Sequence, residues 1–271
     1  MNFSIVIPFY NNCSNLNILK ETLIDYKNDK DVEIIIVNDC SDSNQTEILN
    51  CSFLEFNNLK IINNKKNSGP SFSRMAGVQI ASGEYIFFLD ADDGWSKNKA
   101  YYQYNYNKKN KIIISGGPVR STTAVEFKKD REQYSLNSIN IKEISFKDSI
   151  FFNPYATTSI CVLREKIIDQ PFDLNMRYAE DIDCWRRILL SNKGCVYSDS
   201  GAFQFKISYL ANHTSLSSNL FKMVKGNIYS LNKIAKEYDT SLLIKFLLYI
   251  SMAFSLIKLV YRVLKRRVIN F

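Results

Sequence analysis

The chain has 271 residues, 46% hydrophobic and 13% aromatic, with only 9 Gly and 5 Pro, which gives one large or two small domains with a full core and excludes a disordered, collagen-like or linker-dominated chain. The formal net charge is +8, yet from position 242 onward there are six basic residues and no acidic one, leaving 29 basic against 27 acidic residues before it. A basic tail on a nearly neutral body argues against a nucleic-acid-binding module, so no nucleic-acid partner is expected.

The N-terminal Met-Asn-Phe-Ser-Ile-Val-Ile-Pro has no basic n-region and reaches Pro8 after a short apolar run, so it does not read as a signal peptide, and a cytosolic-side protein is expected. Six cysteines without a CxxC pair point to reduced thiols rather than a zinc ribbon or a disulfide framework.

Short β-branched runs at 3–8, 33–38, 59–63 and 85–89 predict strands, and 15–30 and 70–81 predict helices between them, the second with Pro70 in its first turn. This βαβα alternation predicts a doubly wound α/β sheet over about residues 1–115. Beyond Gly116-Gly117 the alternation stops. A polar stretch at 121–147 precedes strand-like pieces near 159–163, 195–198 and 202–208, with helices expected around 180–190 and 215–237, which reads as a mixed second half.

Residues 246–257 are uncharged, about 18 Å of helix at about 1.5 Å per residue, which is short for a hydrocarbon core of about 30 Å. Ser251, Ser255, Lys258, Arg262 and Lys265 draw one polar stripe along this stretch, so an amphipathic helix lying on a membrane surface is expected over 241–271. A core-packing or dimerising helix is the alternative.

The sharpest chemical signal is Phe87-Phe88-Leu89-Asp90-Ala91-Asp92-Asp93, a hydrophobic strand ending in three carboxylates within four positions. In an extended segment Asp90 and Asp92 would face one site at the carboxyl edge of the sheet, and hard oxygen ligands favour Mg2+ or Mn2+, which can clamp a diphosphate. A solvated acidic turn is the alternative for such a motif in isolation. Glu180-Asp181 at a predicted helix start has the competing reading of an N-terminal cap. Trp185 and Arg186 on that helix suit packing or a salt bridge, and Trp185 is equally placed to touch an acceptor.

The acidic motif is not isolated. Ile5-Val6-Ile7-Pro8-Phe9-Tyr10-Asn11, Ile36-Val37-Asn38-Asp39-Cys40-Ser41-Asp42, Asn67-Ser68-Gly69-Pro70-Ser71-Phe72-Ser73-Arg74 and Ser82-Gly83-Glu84-Tyr85 through Asp93 together resemble family 2 glycosyltransferases of the GT-A fold. The resemblance is close over about 1–95 and continues at Tyr178-Ala179-Glu180-Asp181 and at His213-Thr214-Ser215-Leu216-Ser217. Asn38 and Cys40 stand where the family often has Asp and Gly.

The resemblance implies a GT-A Rossmann-like, mostly parallel sheet flanked by helices. Residues 1–115 would bind a nucleotide-sugar, and 116–240 would form the acceptor-binding half of the same domain. Pro8 and Tyr10 would shape the nucleotide pocket, Asp39 would hydrogen-bond the nucleobase, and Arg74 and Asp90 would lie at the donor. Asp92, completed by His213, would hold the metal. Asp181 would be the general base of a single inverting displacement, with Glu180 positioning the acceptor. The implied partners are a nucleotide-sugar, most often UDP-linked, and a saccharide or lipid-linked saccharide acceptor of surface polysaccharide or lipopolysaccharide synthesis. The expected location is cytoplasmic, peripheral on the inner face of the membrane. A nucleotidyltransferase is the rival enzyme, but Pro8-Phe9-Tyr10-Asn11-Asn12 lacks the Gly and Lys its phosphate loop would need.

Overall fold

The computed structural model describes residues 1–133, 139–205 and 219–269, with side chains described to 263. The first half alternates β1 (Phe3–Phe9), α1 (Leu16–Leu23), β2 (Val32–Asn38), α2 (Ser43–Ser52), β3 (Leu59–Asn63), α3 (Pro70–Ile80) and β4 (Tyr85–Phe88). These four strands are parallel in the order β3-β2-β1-β4. Both faces of β1 and β2 are buried, so their side chains divide by parity. Val6, Ile35 and Val37 enter one core layer, while Phe3, Ile5, Ile7, Ile34 and Ile36 enter the other. Pro8 is tolerated because the β1–β4 ladder covers only Phe3 to Val6, beyond which a missing N–H costs nothing on that side.

The helix expected over 15–30 stops at Leu23 and continues as a 3-10 turn, Ile24–Tyr26. The chain must then bury Tyr26 and reverse at Asn28, whose φ is +60°.

The second half extends the same sheet through β6 (Ile114–Gly116), β8 (Ile141–Ile144), β9 (Cys161–Leu163) and β10 (Gly194–Tyr197). Among the described residues the order is β3-β2-β1-β4-β9-β6-β10-β8. Strand β9 runs antiparallel to both β4 and β6, so its amino end lies at the carboxyl ends of its neighbours. A second sheet joins β5 (Asp93–Trp95), β11 (Ala202–Phe205) and β7 (Val119–Thr122).

Helices α4 (Lys99–Asn110), α5 (Phe127–Gln133), α6 (Phe146–Ser149), α7 (Arg164–Asp169), α8 (Glu180–Leu190), α9 (Leu220–Glu237) and α10 (Leu242–Ile269) complete the elements. The 121–147 stretch, read as simply polar, contains α5 and β8. Helices α1, α2 and α4 cover one sheet face; α3, α6, α7, α8 and α9 cover the other, where Leu248 of α10 also packs.

The tail is one continuous helix, and its apolar stretch Leu242–Val263 is 22 residues long with mean hydropathy 2.0, long and apolar enough by itself to cross a membrane. Its polar stripe divides. The Ser251 hydroxyl donates to the Ile150 carbonyl at 2.6 Å, and Ser255 Oγ accepts from Asn227 Nδ2 at 3.0 Å, so both serines face the protein. The opposite face carries exposed Phe246, Ile250, Ile257 and Val260.

Candidate active site

The carboxyl ends of β1, β2 and β4 deliver three loops to one edge of the sheet, the usual ligand edge of an open α/β fold. The first two are tied together: Asp39 N–H donates to the Phe9 carbonyl at 2.8 Å, and Asn11 N–H to Ser41 Oγ at 3.0 Å. Tyr10 stands beside them 51% exposed, and Pro8 is partly exposed. Cys40 sits at φ +62°, the left-handed conformation that explains why glycine suits this place in the family pattern. Asn38 uses its amide fully, donating to Thr46 Oγ1 and Asn63 Oδ1 and accepting from Ser41 N–H.

Asp39 is buried, and its carboxylate holds the loop ahead of α3. It accepts from Asn64 Nδ2 at 2.7 Å, from Gly69 N–H at 2.7 Å, and from Ser68 N–H, which is shared between both oxygens at 3.0 and 3.2 Å. The loop presents α3, with Pro70 at its start, and α3 in turn carries Arg74.

Arg74 is the junction of the site. Its Nη2 donates to Asp90 Oδ1 at 2.6 Å, while Nη1 lies 3.8 Å from Glu180 Oε1. Burial opposes its charge, but Asp90, Glu180 and Asp181 together outweigh burial and raise its pKa. Burial and the neighbouring Asp181 charge raise the Glu180 pKa, against the pull of Arg74.

The acidic motif is a tight turn rather than an extended segment, since Asp93 N–H donates to the Asp90 carbonyl at 3.0 Å. The three carboxylates therefore diverge: Asp90 pairs with Arg74, Asp92 is exposed, and Asp93 is buried in β5. Desolvation and then the Asp90 charge raise the Asp92 pKa. Burial with both neighbours drives Asp93 well above the usual carboxylate range. Such crowding suits a hard divalent cation. Among the described residues no three His, Cys, Asp or Glu side chains gather as a metal cage. As a hard oxygen donor, Asp92 is of the chemical kind that Mg2+ and Mn2+ prefer. His213 lies outside the described residues.

Asp181 opens α8, preceded by Ala179 at φ +58°. It is half-buried; Oδ2 accepts from Thr157 Oγ1 at 2.9 Å, and Oδ1 from Ile182 N–H at 2.8 Å. Trp185 does not reach an acceptor surface: it is 1% exposed, packed against Phe88 and Phe172. Arg186 is buried too, bonded to the Ser149 and Ile150 carbonyls and to Asn227.

The structure thus brings Arg74, Asp90, Glu180 and Asp181 together, with Asp92 beyond the pair and Asp39 behind the loop that leads to Arg74. Thr157 and Thr158 are neighbours of this cluster that the sequence did not single out. Their partners lie 24 and 68 positions away, and a Thr-Thr pair has no local signature.

Residues 4–171 match the family model described as glycosyl transferase family 2. An uncharacterized glycosyltransferase of Haemophilus influenzae is 27% identical over 224 residues, 81% of this chain and 83% of that one. The UDP-Glc:alpha-D-GlcNAc-diphosphoundecaprenol beta-1,3-glucosyltransferase WfgD of Escherichia coli is 27% identical over 237 residues, 82% of each chain. Among solved structures, S. aureus TarS 1–349 in complex with UDP-GlcNAc aligns with TM-score 0.66 at 16% identity, over 94% of this chain and 72% of that one, a likeness of fold.

Proposed function

The chain belongs to glycosyl transferase family 2 and is a glycosyltransferase; from that premise we propose that it is a metal-dependent inverting enzyme moving a sugar from UDP to a saccharide or lipid-linked saccharide acceptor, in synthesis of a surface polysaccharide or lipopolysaccharide. One observation carries the reading: Arg74 joins a donor-side carboxylate, Asp90, to the Glu180-Asp181 pair in a single cluster at the carboxyl edge of the sheet. The E. coli relative is named for a UDP-Glc donor and a diphosphoundecaprenol-linked acceptor, which supports the same classes here.

In this reading residues 1–115 supply the donor side, with Pro8 and Tyr10 along the nucleotide and Asp39 at the base. Arg74 fixes Asp90 beside the ribose. Asp92 with His213 would hold Mn2+ or Mg2+, which supplies charge stabilisation for the departing diphosphate. Residues 116–240 supply the acceptor side. Asp181 takes the acceptor hydroxyl proton through the carboxylate edge that Thr157 and Ile182 leave free, and the hydroxyl oxygen attacks the anomeric carbon from the face opposite the leaving UDP. Glu180 accepts a hydrogen bond from the acceptor while Arg74 orients it. The work takes place on the cytosolic side of a membrane, with α10 as the contact.

The test is thermal stabilisation of the purified protein by a panel of nucleotides and nucleotide-sugars, with and without Mn2+. UDP and one UDP-sugar should raise Tm in a Mn2+-dependent way. No response to any nucleotide would overturn the donor assignment.

A further inference from the structure

Two acids at this site, donor-side Asp90 and base-side Asp181, come from segments about 90 positions apart, yet both are held by adjacent residues of one short turn. The 3-10 turn Thr157–Ser159 precedes β9. Because β9 is antiparallel to β4, the turn lies where β4 ends and the acidic motif begins. All three residues are buried. Thr157 Oγ1 donates to Asp181 Oδ2 at 2.9 Å. Thr158 Oγ1 accepts from Asp90 N–H at 3.3 Å, and its carbonyl accepts from Trp95 Nε1 at 2.7 Å.

The third residue anchors the turn. Ser159 Oγ accepts from Gly117 N–H at 2.9 Å, and the Ser159 carbonyl accepts from Lys99 Nζ and Gln103 Nε2, each at 3.2 Å. Lys99, Gln103 and Asn107 form the buried stripe of α4. Lys99 also donates to Gln103 Oε1 at 2.6 Å, and Gln103 and Asn107 both donate to Ser115 Oγ. Burying a lysine and two amides is costly unless they are hydrogen-bonded, and the Ser159 carbonyl of the turn takes one bond each from Lys99 and Gln103.

We infer that the Thr157–Ser159 turn is a positioning device that sets the donor carboxylates and the base against each other, with Thr157 aligning Asp181, Thr158 aligning the Asp90–Asp93 turn, and the polar stripe of α4 fixing both through Ser159. The inference rests on the reading of Asp90–Asp93 as the donor site and Asp181 as the base. A device of this kind has a signature that bulk packing lacks: removing neighbouring hydroxyls damages different kinetic constants.

Thr157→Val, which keeps shape and removes the donor, should lower kcat about 10- to 100-fold while leaving donor KM within about twofold, and Thr157→Ser should restore most of the loss. Thr158→Val should weaken binding of UDP with Mn2+, read by calorimetry, and raise donor KM about tenfold, with a smaller effect on kcat. Equal effects of the two substitutions on both constants, or no rescue by serine, would overturn the inference. If valine at 157 unfolds the chain, Thr157→Ala carries the same readouts. If the wild type transfers no sugar, the transferase reading fails separately, and loss of UDP affinity in Thr158→Val still decides whether the turn positions the donor site.

Discussion

Asp92 and Asp181 separate at the level of single side chains. Asp92 is exposed, and desolvation and the Asp90 charge raise its pKa, so a cation beside it would favour its ionised form. Asp92→Asn should abolish the Mn2+-dependent part of nucleotide binding, and unchanged Mn2+ stimulation in a binding titration would remove it from the metal. Asp181 touches no described donor-side carboxylate, so Asp181→Asn should leave nucleotide affinity within about twofold and reduce transfer at least 100-fold; near-normal transfer would move the base elsewhere. Lys99 makes a different prediction. Burial lowers its pKa to about 7, with the ammonium over Trp95 at 4.6 Å. The unfolded chain therefore binds more protons than the folded one between about pH 7 and the ordinary lysine range, and the Lys99 contribution to stability should rise with pH across that window, by at most about 1.4 kcal/mol per pH unit. Denaturation midpoints of wild type and Lys99→Met at pH 7 and 9.5 should show this slope in the wild type alone; parallel slopes would refute it. The placement of Asp39, Arg74 and Asp90 at the carboxyl edge of the sheet was legible because each sits in a contiguous motif after a strand or near a helix start. Thr157, Thr158 and Lys99 were not, because what they do depends on partners brought by β9 and α4 rather than on neighbours in the chain.

Between elements, legibility follows the same division. Strands β1, β2 and β4 announced themselves by apolar runs buried on both faces, and β3 by its β-branched run although it is a partly exposed edge strand, whereas α4 hid its role by inverting the usual pattern: the residues it buries at spacing i, i+4, i+8 are Lys99, Gln103 and Asn107. A polar stripe at that spacing reads as a solvated face until the fold supplies Ser115 and Ser159. The Ser82-Gly83 motif has a structural explanation at the opposite end of the strand from the site. A Cβ on Gly83 would fall 2.4 Å from the Phe3 carbonyl carbon, while Ser82 is held by Glu33. Helix α9 braces α8 and the segment ahead of it by a second close approach. Lys233 reaches Asp173 at 2.6 Å and Asp183 at 3.5 Å, Asn227 bonds Arg186 at 2.7 Å, and a Cβ on Gly226 would lie 2.2 Å from the Tyr178 carbonyl oxygen. Tyr178 is two residues ahead of Glu180, so Gly226→Ala must push α9 away from the segment that leads into Glu180 and Asp181. We expect a loss of about 1–3 kcal/mol, seen as a Tm lower by several degrees, together with a fall in kcat larger than any change in nucleotide affinity. An unchanged Tm would mean that α9 does not constrain that segment.

At the scale of the whole molecule, the unbalanced feature is α10. Eleven of its large apolar side chains, from Leu242 to Val263, are exposed, and no acidic residue accompanies Lys245, Lys258 and Arg262. Length and hydropathy alone would allow the helix to span a bilayer. Its docking argues for lying flat: at the middle of the stretch Ser251 caps the Ile150 carbonyl and Ser255 joins Asn227 and Arg186, so an upright helix would carry this polar network into hydrocarbon. At 100° per residue, Phe246, Ile250, Ile257 and Val260 lie opposite the docked seam of Leu248, Ser251, Ser255 and Leu259, giving one face packed on the protein and one exposed apolar face. Covering the exposed half of each such side chain contributes on the order of 1 kcal/mol, while Lys258 and Arg262 lie nearer the seam than the apolar face, so their attraction to an anionic surface is the smaller share. Deleting the helix would also uncover Leu248 in the core, so the cleaner variant is Phe246→Glu/Ile257→Glu, which leaves the seam intact. Wild type should co-sediment with vesicles containing anionic lipid, less so as salt is raised, while the double variant stays soluble and keeps its Tm. A wild type that ignores vesicles and forms a dimer, with a monomeric variant, would assign the same face to a second copy of the chain instead.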